Sequence, residues 1–390
     1  MTKRLLYILL IFSCAGISSS FASEQTGKQD SVRLQDSTQT GKDNFFKRFY
    51  RYFEKSNEIK EDKKFDFSII GGPHFSSDTK LGIGIVASGL YRIDRSDKSI
   101  SPSNVSLYGD VTTTGFYLLG IRGNTIFPHD KFRIDANIYF FSFPSSYWGI
   151  GYEAGRRDSS TTYKRLENQF KFDFLFKVAK NTYIGPTLMF RNVNGKDFKN
   201  PAFLNGEKNN IGSFGPGIIA SYDSRDFIPN PSKGFYAKFE QQFYPKFLGN
   251  DYDFKRTSIE LRYYHKVWKG AILASEIQGI FNYGDTPWSM VAFMGGSYRM
   301  RGYYEGRYRD NDMIQTQVEL RQKIYNRHGI ATWVGAGNVF PEMNKFKWSH
   351  TLPSYGLGYR WEFKNRINVR LDYGFGKGES AFYFNINEAF

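Results

Sequence analysis

The chain of 390 residues contains a single cysteine, Cys14. The rest of the sequence can therefore build neither a disulfide framework nor a cysteine metal site. No stretch supplies the roughly eighteen consecutive apolar residues of a membrane-spanning helix, and the mean hydropathy is −0.50. There is no G-x-S-x-G, H-E-x-x-H, P-loop or C-x-x-C pattern, so no enzyme is expected. His74, His129, His265, His328 and His350 show no metal-ligand spacing; neither a metal nor a cofactor is expected. The formal charge is +15, but its 53 Lys and Arg are dispersed through the chain. A nucleic-acid partner would draw them into a block, so charges facing water are expected and nucleic acid is not.

What is abundant is aromatic. Phe, Tyr and Trp make up 18% of the chain, with 38 Phe and 27 Tyr, and there are 38 Gly. Aromatic girdles at two membrane interfaces, with glycine in turns, produce such a composition; an aromatic-rich soluble sandwich shares it. At the start, Lys3 and Arg4 precede an apolar run from Leu5 to Ile17, and Ser20-Phe21-Ala22 forms a small-residue cleavage site. Residues 1–22 thus read as a secretory signal peptide, with lipidation of Cys14 as the rival reading. Residues 23–64 read as a polar periplasmic linker. Within it, Asp43-Asn44 caps a predicted amphipathic helix with Phe45, Phe46, Phe49, Tyr50 and Phe53 on one face and Lys47, Arg48, Arg51 and Lys55 around it. Such a helix lies on the periplasmic leaflet, enters the barrel mouth, or packs on the first strands.

From residue 65 the hydrophobic period is two. Phe170, Phe172, Phe174 and Phe176 alternate with charged or polar residues, broken only by Leu175. Ile134-x-Ala136-x-Ile138, Ile259-x-Leu261-x-Tyr263 and Ile367-x-Val369-x-Leu371-x-Tyr373 repeat the pattern against Arg, Asp, Glu and Asn. Successive side chains of a strand point to opposite faces, so each strand has one apolar and one charged face. Many of these strands run to ten or more residues, long enough to cross a bilayer at a tilt. Short turns such as Pro128-His129-Asp130 and Ala179-Lys180-Asn181 alternate with longer loops near 94–103, 155–161, 195–209 and 284–310. Residues 65–390 are therefore expected to form an all-β transmembrane antiparallel β-barrel of about sixteen strands, closed because lipid offers no partner to an open edge.

The chain ends Phe382-Tyr383-Phe384-Asn385-Ile386-Asn387-Glu388-Ala389-Phe390. Phe382, Phe384, Ile386 and Phe390 resemble the C-terminal signal read by the barrel-assembly machinery, with Glu388 at a position that is usually apolar. The stretch GGSYRMRGYY resembles the signature of the BamA/TamA-type outer-membrane barrel superfamily (bacterial surface antigen family) of insertases and two-partner transporters. Its residues here are Gly295 and Gly296 followed by the tetrad Met300-Arg301-Gly302-Tyr303. YDSRDFIPNPSKG resembles the family's strand-end turn through Asp223, Arg225, Asp226, Pro231 and Gly234. Val318-Glu319-Leu320-Arg321 matches the strand after the long loop, and Val334–Phe340 the next strand, with Gly335 where the family has a lumen Asp.

The resemblance implies that the long loop folds into the lumen and that Arg301 pairs with a carboxylate of the inner wall. With Gly335 leaving one expected partner missing, Glu319 is the expected partner and Asp372 the second candidate. It also implies an outer-membrane protein acting in protein insertion or translocation, with a weak seam between the first strand (near Phe67 to Gly72) and the last. Residues 23–64 are too few for one of the family's client-receiving POTRA modules. Expected partners are outer-membrane lipid and lipopolysaccharide, the barrel-assembly machinery, and a periplasmic partner that supplies those modules. The alternatives of other classes are a passive channel with a basic lumen and a structural or adhesive barrel.

Overall fold

The computed structural model describes residues 65–76, 80–96, 100–364 and 366–390. The signal peptide and the linker helix lie outside the described residues. The strands are β1 (Phe65–Ser76), β2 (Lys80–Tyr91), β3 (Ser103–Thr112), β4 (Tyr117–Ile126), β5 (Phe132–Tyr147) and β6 (Thr161–Ala179). They continue with β7 (Thr182–Lys196), β8 (Asn210–Asp223), β9 (Gly234–Tyr244), β10 (Phe254–Trp268), β11 (Ala271–Gly284), β12 (Ala292–Phe293) and β13 (Arg309–Asp310). The last are β14 (Asp312–Tyr325), β15 (His328–Phe340), β16 (Leu352–Lys364), β17 (Ile367–Phe375) and β18 (Ser380–Ile386). Sixteen of them form one antiparallel meander in which each strand pairs with the next; β12 and β13 pair only with each other, inside the connection from β11 to β14. No helix among the described residues is long and apolar enough to cross a membrane.

The sheet is rolled. From β10 to β18 a flat sheet would span roughly 29 Å, and the four residues after β18 reach about 14 Å at most. Yet Phe390 packs on Tyr264 of β10 with ring centroids 6.4 Å apart. The two faces are reversed relative to a soluble domain. Outside, Ile83, Leu119, Val334 and Leu357 are 60–65% exposed. Inside, Glu167, Asp173, Arg191, Glu240 and Arg370 are buried and joined across strands, as where Lys171 meets Glu240 at 2.6 Å and Arg191 meets Glu167 at 2.7 Å. This is a β-barrel whose apolar face is turned outward to lipid. The break at Leu175 has a local reason, because that side chain turns inward onto Tyr183 and Ile219.

Every second connection of an antiparallel meander returns to the same edge. Residues 148–160, 197–209, 245–253, 285–311, 341–351 and 376–379 therefore share one edge. Residues 92–102, 127–131, 180–181, 224–233, 269–270, 326–327 and 365–366 share the other. The polar stretch near 94–103, grouped by length with the long loops, thus lies at the short-turn edge. Length alone does not report which edge a loop occupies; strand parity does.

Candidate functional site

The connection 285–311 folds inward, and its backbone shows how. Gly295 and Gly296 have φ of +99° and +103°, and a Cβ on Gly295 would stand 2.6 Å from the Tyr304 carbonyl, so only glycine allows the two limbs to close. Met300, at φ +46°, is buried with Met294, Met313, Val339 and Leu352. Gly302, at φ +113°, lies so near the wall that a Cβ would approach the Phe375 carbonyl carbon to 2.5 Å. Its N–H donates to Tyr383 Oη at 2.9 Å, and Ser354 Oγ donates to the Arg301 carbonyl at 2.7 Å. Tyr303 Oη donates to the Pro353 carbonyl and accepts from the Lys377 N–H, both at 2.7 Å.

Between these anchors the Arg301 side chain is fully enclosed. Nη2 meets Glu319 Oε2 of β14 at 2.6 Å, Nη1 meets Asp372 Oδ2 of β17 at 2.7 Å, and the guanidinium lies 3.6 Å from the ring centroid of Trp333 on β15. A planar fork can hold two carboxylates while stacking on an indole; an ammonium cannot. The carboxylates are shared. Arg321 reaches Glu319 at 2.7 Å, Arg370 reaches Asp372 at 2.8 Å, and Arg360 reaches Asp372 at 2.5 Å and Glu388 at 2.9 Å. Four guanidiniums and three carboxylates thus form one buried network.

Gly335 leaves no gap in this network. A Cβ there would already meet the Thr316 carbonyl at 2.8 Å, and the second carboxylate arrives from Asp372, two strands further on. The reading of one missing partner is corrected: Glu319 and Asp372 both engage Arg301. Trp333, Arg360, Arg370 and Glu388 were not singled out as members of the network. The one available signal was Glu388, a charge where an apolar residue is usual.

The end of the chain also departs from expectation. Phe382 and Phe384 face outward at 55% and 53% exposure, but the strand stops at Ile386. Asn387 adopts φ +70°, which ends the extended run, and the chain turns inward. Glu388 joins Arg360, and Arg321 Nη2 donates to the Phe390 carbonyl at 2.9 Å while its guanidinium stacks 5.2 Å from the Phe390 ring. Phe390 thus belongs to the lumen rather than to a terminal alternating strand, because the arginines draw Glu388 in.

At the short-turn edge, Asp223 accepts from Arg225 Nε at 2.8 Å and from Arg133 Nη1 at 3.1 Å, and Arg225 lies 4.1 Å from the Tyr236 ring centroid. Asp226 accepts from Ser232 Oγ at 2.6 Å and from Arg366 Nη2 at 2.9 Å, tying this turn to the one between β16 and β17. Burial alone would raise the Asp226 pKa, but the Ser232 hydrogen bonds and Arg366 hold it below the usual carboxylate value. Pro231 is buried, and Gly234, at φ +117°, sits where a Cβ would meet the Ser224 carbonyl at 2.4 Å. At the long-loop edge, the short helix Tyr152–Arg156 caps the loop: the Gly151 N–H donates to the Arg309 carbonyl at 2.7 Å, and His350 stacks on Tyr152 at 3.9 Å. There burial lifts the Asp310 carboxyl to a pKa of about 6.

The family model that matches this sequence is the Omp85 superfamily domain, over residues 121–390. Among solved structures the chain is similar to BamA from Haemophilus ducreyi lacking POTRA domains 1-3, with TM-score 0.52 and 14% identity over 82% of this chain and 69% of that one. It is similar to CdiB from Acinetobacter baumannii with TM-score 0.54 and 12% identity, over 84% of this chain and 60% of that one. For CdiB from Escherichia coli the TM-score is 0.53 at 10% identity, over 84% of this chain and 62% of that one. The chain therefore spans about three fifths of each CdiB structure. At these identities the likeness is one of fold. No protein of curated function matches the chain.

Proposed function

This chain belongs to the Omp85 superfamily, and from that premise we propose that it is an outer-membrane barrel protein acting in the insertion or translocation of other proteins. On this reading residues 1–22 direct export and are removed, residues 23–64 form a periplasmic linker, and residues 65–390 form the barrel. The observation that carries the proposal is the enclosed Arg301, which ties the inward loop to β14 and β17.

With the loop 285–311 above and residues 388–390 reaching in from the other edge, the lumen is occupied, which speaks against a passive channel. No chemical step is involved. The work is lowering the barrier to strand insertion, with the seam between β1, near Phe67 to Gly72, and β18 as the place that opens. Arg301, with Met300, Gly302 and Tyr303, would keep the loop seated while β18 loosens. The partners proposed are outer-membrane lipid and lipopolysaccharide, the barrel-assembly machinery for its own insertion, and a periplasmic protein that presents clients.

The test is quantitative proteomics of purified outer membranes with and without this protein. Selective loss of a set of barrel or surface proteins at unchanged transcript levels is expected. An unchanged inventory would overturn the proposal.

A further inference from the structure

The short-turn edge holds a set of charges that the proposed function does not use. Lys131, Lys180, Lys233, Lys266 and Lys269 are exposed there, and among the described residues none forms an ion pair. They follow the rim, from the connection after β4, through the β6–β7 and β8–β9 turns, to the end of β10 and its turn. The carboxylates of the same turns are already engaged: Asp130 with Arg133, Asp223 with Arg225, Asp226 with Arg366 and Glu362 with Lys323. Among the described residues of these turns, the charge of the five lysines is thus uncompensated. At the long-loop edge Arg157, Lys199 and Lys345 are likewise exposed and without an ion pair, but exposed carboxylates such as Asp158, Asp197 and Glu342 stand among them.

The lysines are interleaved with outward apolar side chains. Val267 and Trp268 stand between Lys266 and Lys269, with Trp268 56% exposed. Ile324 and Tyr325, 60% and 70% exposed, and the exposed Phe176 and Val178 stand at the same edge, beside the ion-paired Lys323 and Lys177. Rings lodged among headgroups, beside ammonium groups on long stems, suit the boundary between hydrocarbon and water. An acidic protein would call for a contiguous patch of about 800 Å² facing away from the lipid, whereas these charges are strung along the rim beside lipid-facing residues.

We infer that this edge is a binding ring for anionic phospholipid headgroups, in the periplasmic leaflet if the outer-membrane reading above, on which the inference rests, is correct. Each lysine offers three donors and a full charge to a phosphate, and the neighbouring aromatic fixes its depth.

The experiment reconstitutes the full chain in vesicles of phosphatidylcholine carrying a trace of spin-labelled phosphatidylglycerol or spin-labelled phosphatidylcholine. The bound fraction of each label is read by electron spin resonance. Phosphatidylglycerol should be preferred by about fivefold at a position served by one lysine, and the preference should fade as salt is raised. Combined Lys131→Gln, Lys180→Gln, Lys233→Gln, Lys266→Gln and Lys269→Gln should abolish the preference, whereas the five Lys→Arg changes should keep it. Heat-modifiable electrophoretic mobility shows in each case that the barrel is folded. A folded wild type that takes up both labels equally would overturn the inference, as would a preference that survives in the glutamine variant. If the glutamine variant does not fold, the salt series on the wild type decides. Equal uptake together with binding of an acidic protein at this edge would assign the ring to protein instead. Failure of the wild type to insert at all would count against the barrel reading itself.

Discussion

At the residue scale, Arg301 concentrates the largest local risk to stability. Removing one member of a buried ion pair leaves an uncompensated charge and costs on the order of 3–5 kcal/mol. Here the remaining arginines share Glu319 and Asp372, so Arg301→Ala is expected near the lower end, roughly 3 kcal/mol. Denaturant unfolding in detergent measures this, and limited proteolysis should show faster cleavage within 285–311. Arg301→Lys should not rescue either property, because a point charge cannot hold two carboxylates and stack on Trp333. Glu319→Gln should behave alike; an effect of one substitution without the other would break the pairing. Asp310 gives a pH signature. Its folded pKa, about 6, lies above the ordinary 3.8, so the folded state holds the extra proton between those values. Stability is therefore lost as pH rises through roughly 4 to 6. Asp310→Asn should be more stable than wild type by roughly 3 kcal/mol at pH 7, and the difference should vanish below pH about 4. Melting curves across that range measure it.

At the element scale, β18 is the weakest part of the wall by length. It has seven residues, against nineteen in β6, and each residue of ladder lost removes hydrogen bonds that no lipid replaces. What fixes it is the inward turn after Ile386, where Glu388 meets Arg360 at 2.9 Å and Asn368 Nδ2 at 2.6 Å. Glu388→Gln should release this end. Amide hydrogen exchange over 380–386 should rise at least tenfold, a loss of about 1.4 kcal/mol in local protection, while β6 and β7 stay unchanged. Equal rates in variant and wild type would remove Glu388 from that role. Much of this level could be read in the sequence. The two-residue period placed the strands, and segment counting predicted about sixteen, the number found. The inward Glu319 was implied by the resemblance of Val318-Glu319-Leu320-Arg321 to the family's strand after the long loop. The departures are physical in kind. Glu388 broke the apolar pattern, but that it turns inward depends on the positive φ at Asn387 and on arginines brought together only when the sheet rolls. The joining of Arg301 to Asp372 likewise spans 71 positions, a distance no periodicity reports, and Trp333 looked like any other strand aromatic.

At the scale of the whole molecule, the barrel holds an anchored loop against its inner wall. Its wall presents apolar side chains outward, its inner face is laced by ion pairs between strands, and the loop bearing Arg301 occupies the space between. A passive pore would leave that space wet and steadily conducting. Planar-bilayer recording should therefore show the wild type closed for most of the time, and Arg301→Ala should add frequent openings as the loop comes free. A wild type with steady, salt-proportional conductance would return the channel reading to first place.

The most direct measurement compares outer-membrane inventories in cells lacking the protein and complemented with wild type or with Arg301→Ala, at matched levels of the folded barrel. Wild type should restore the missing barrel or surface proteins and Arg301→Ala should not. Full restoration by Arg301→Ala would contradict the claim that seating the loop through Arg301 is what the protein's work depends on.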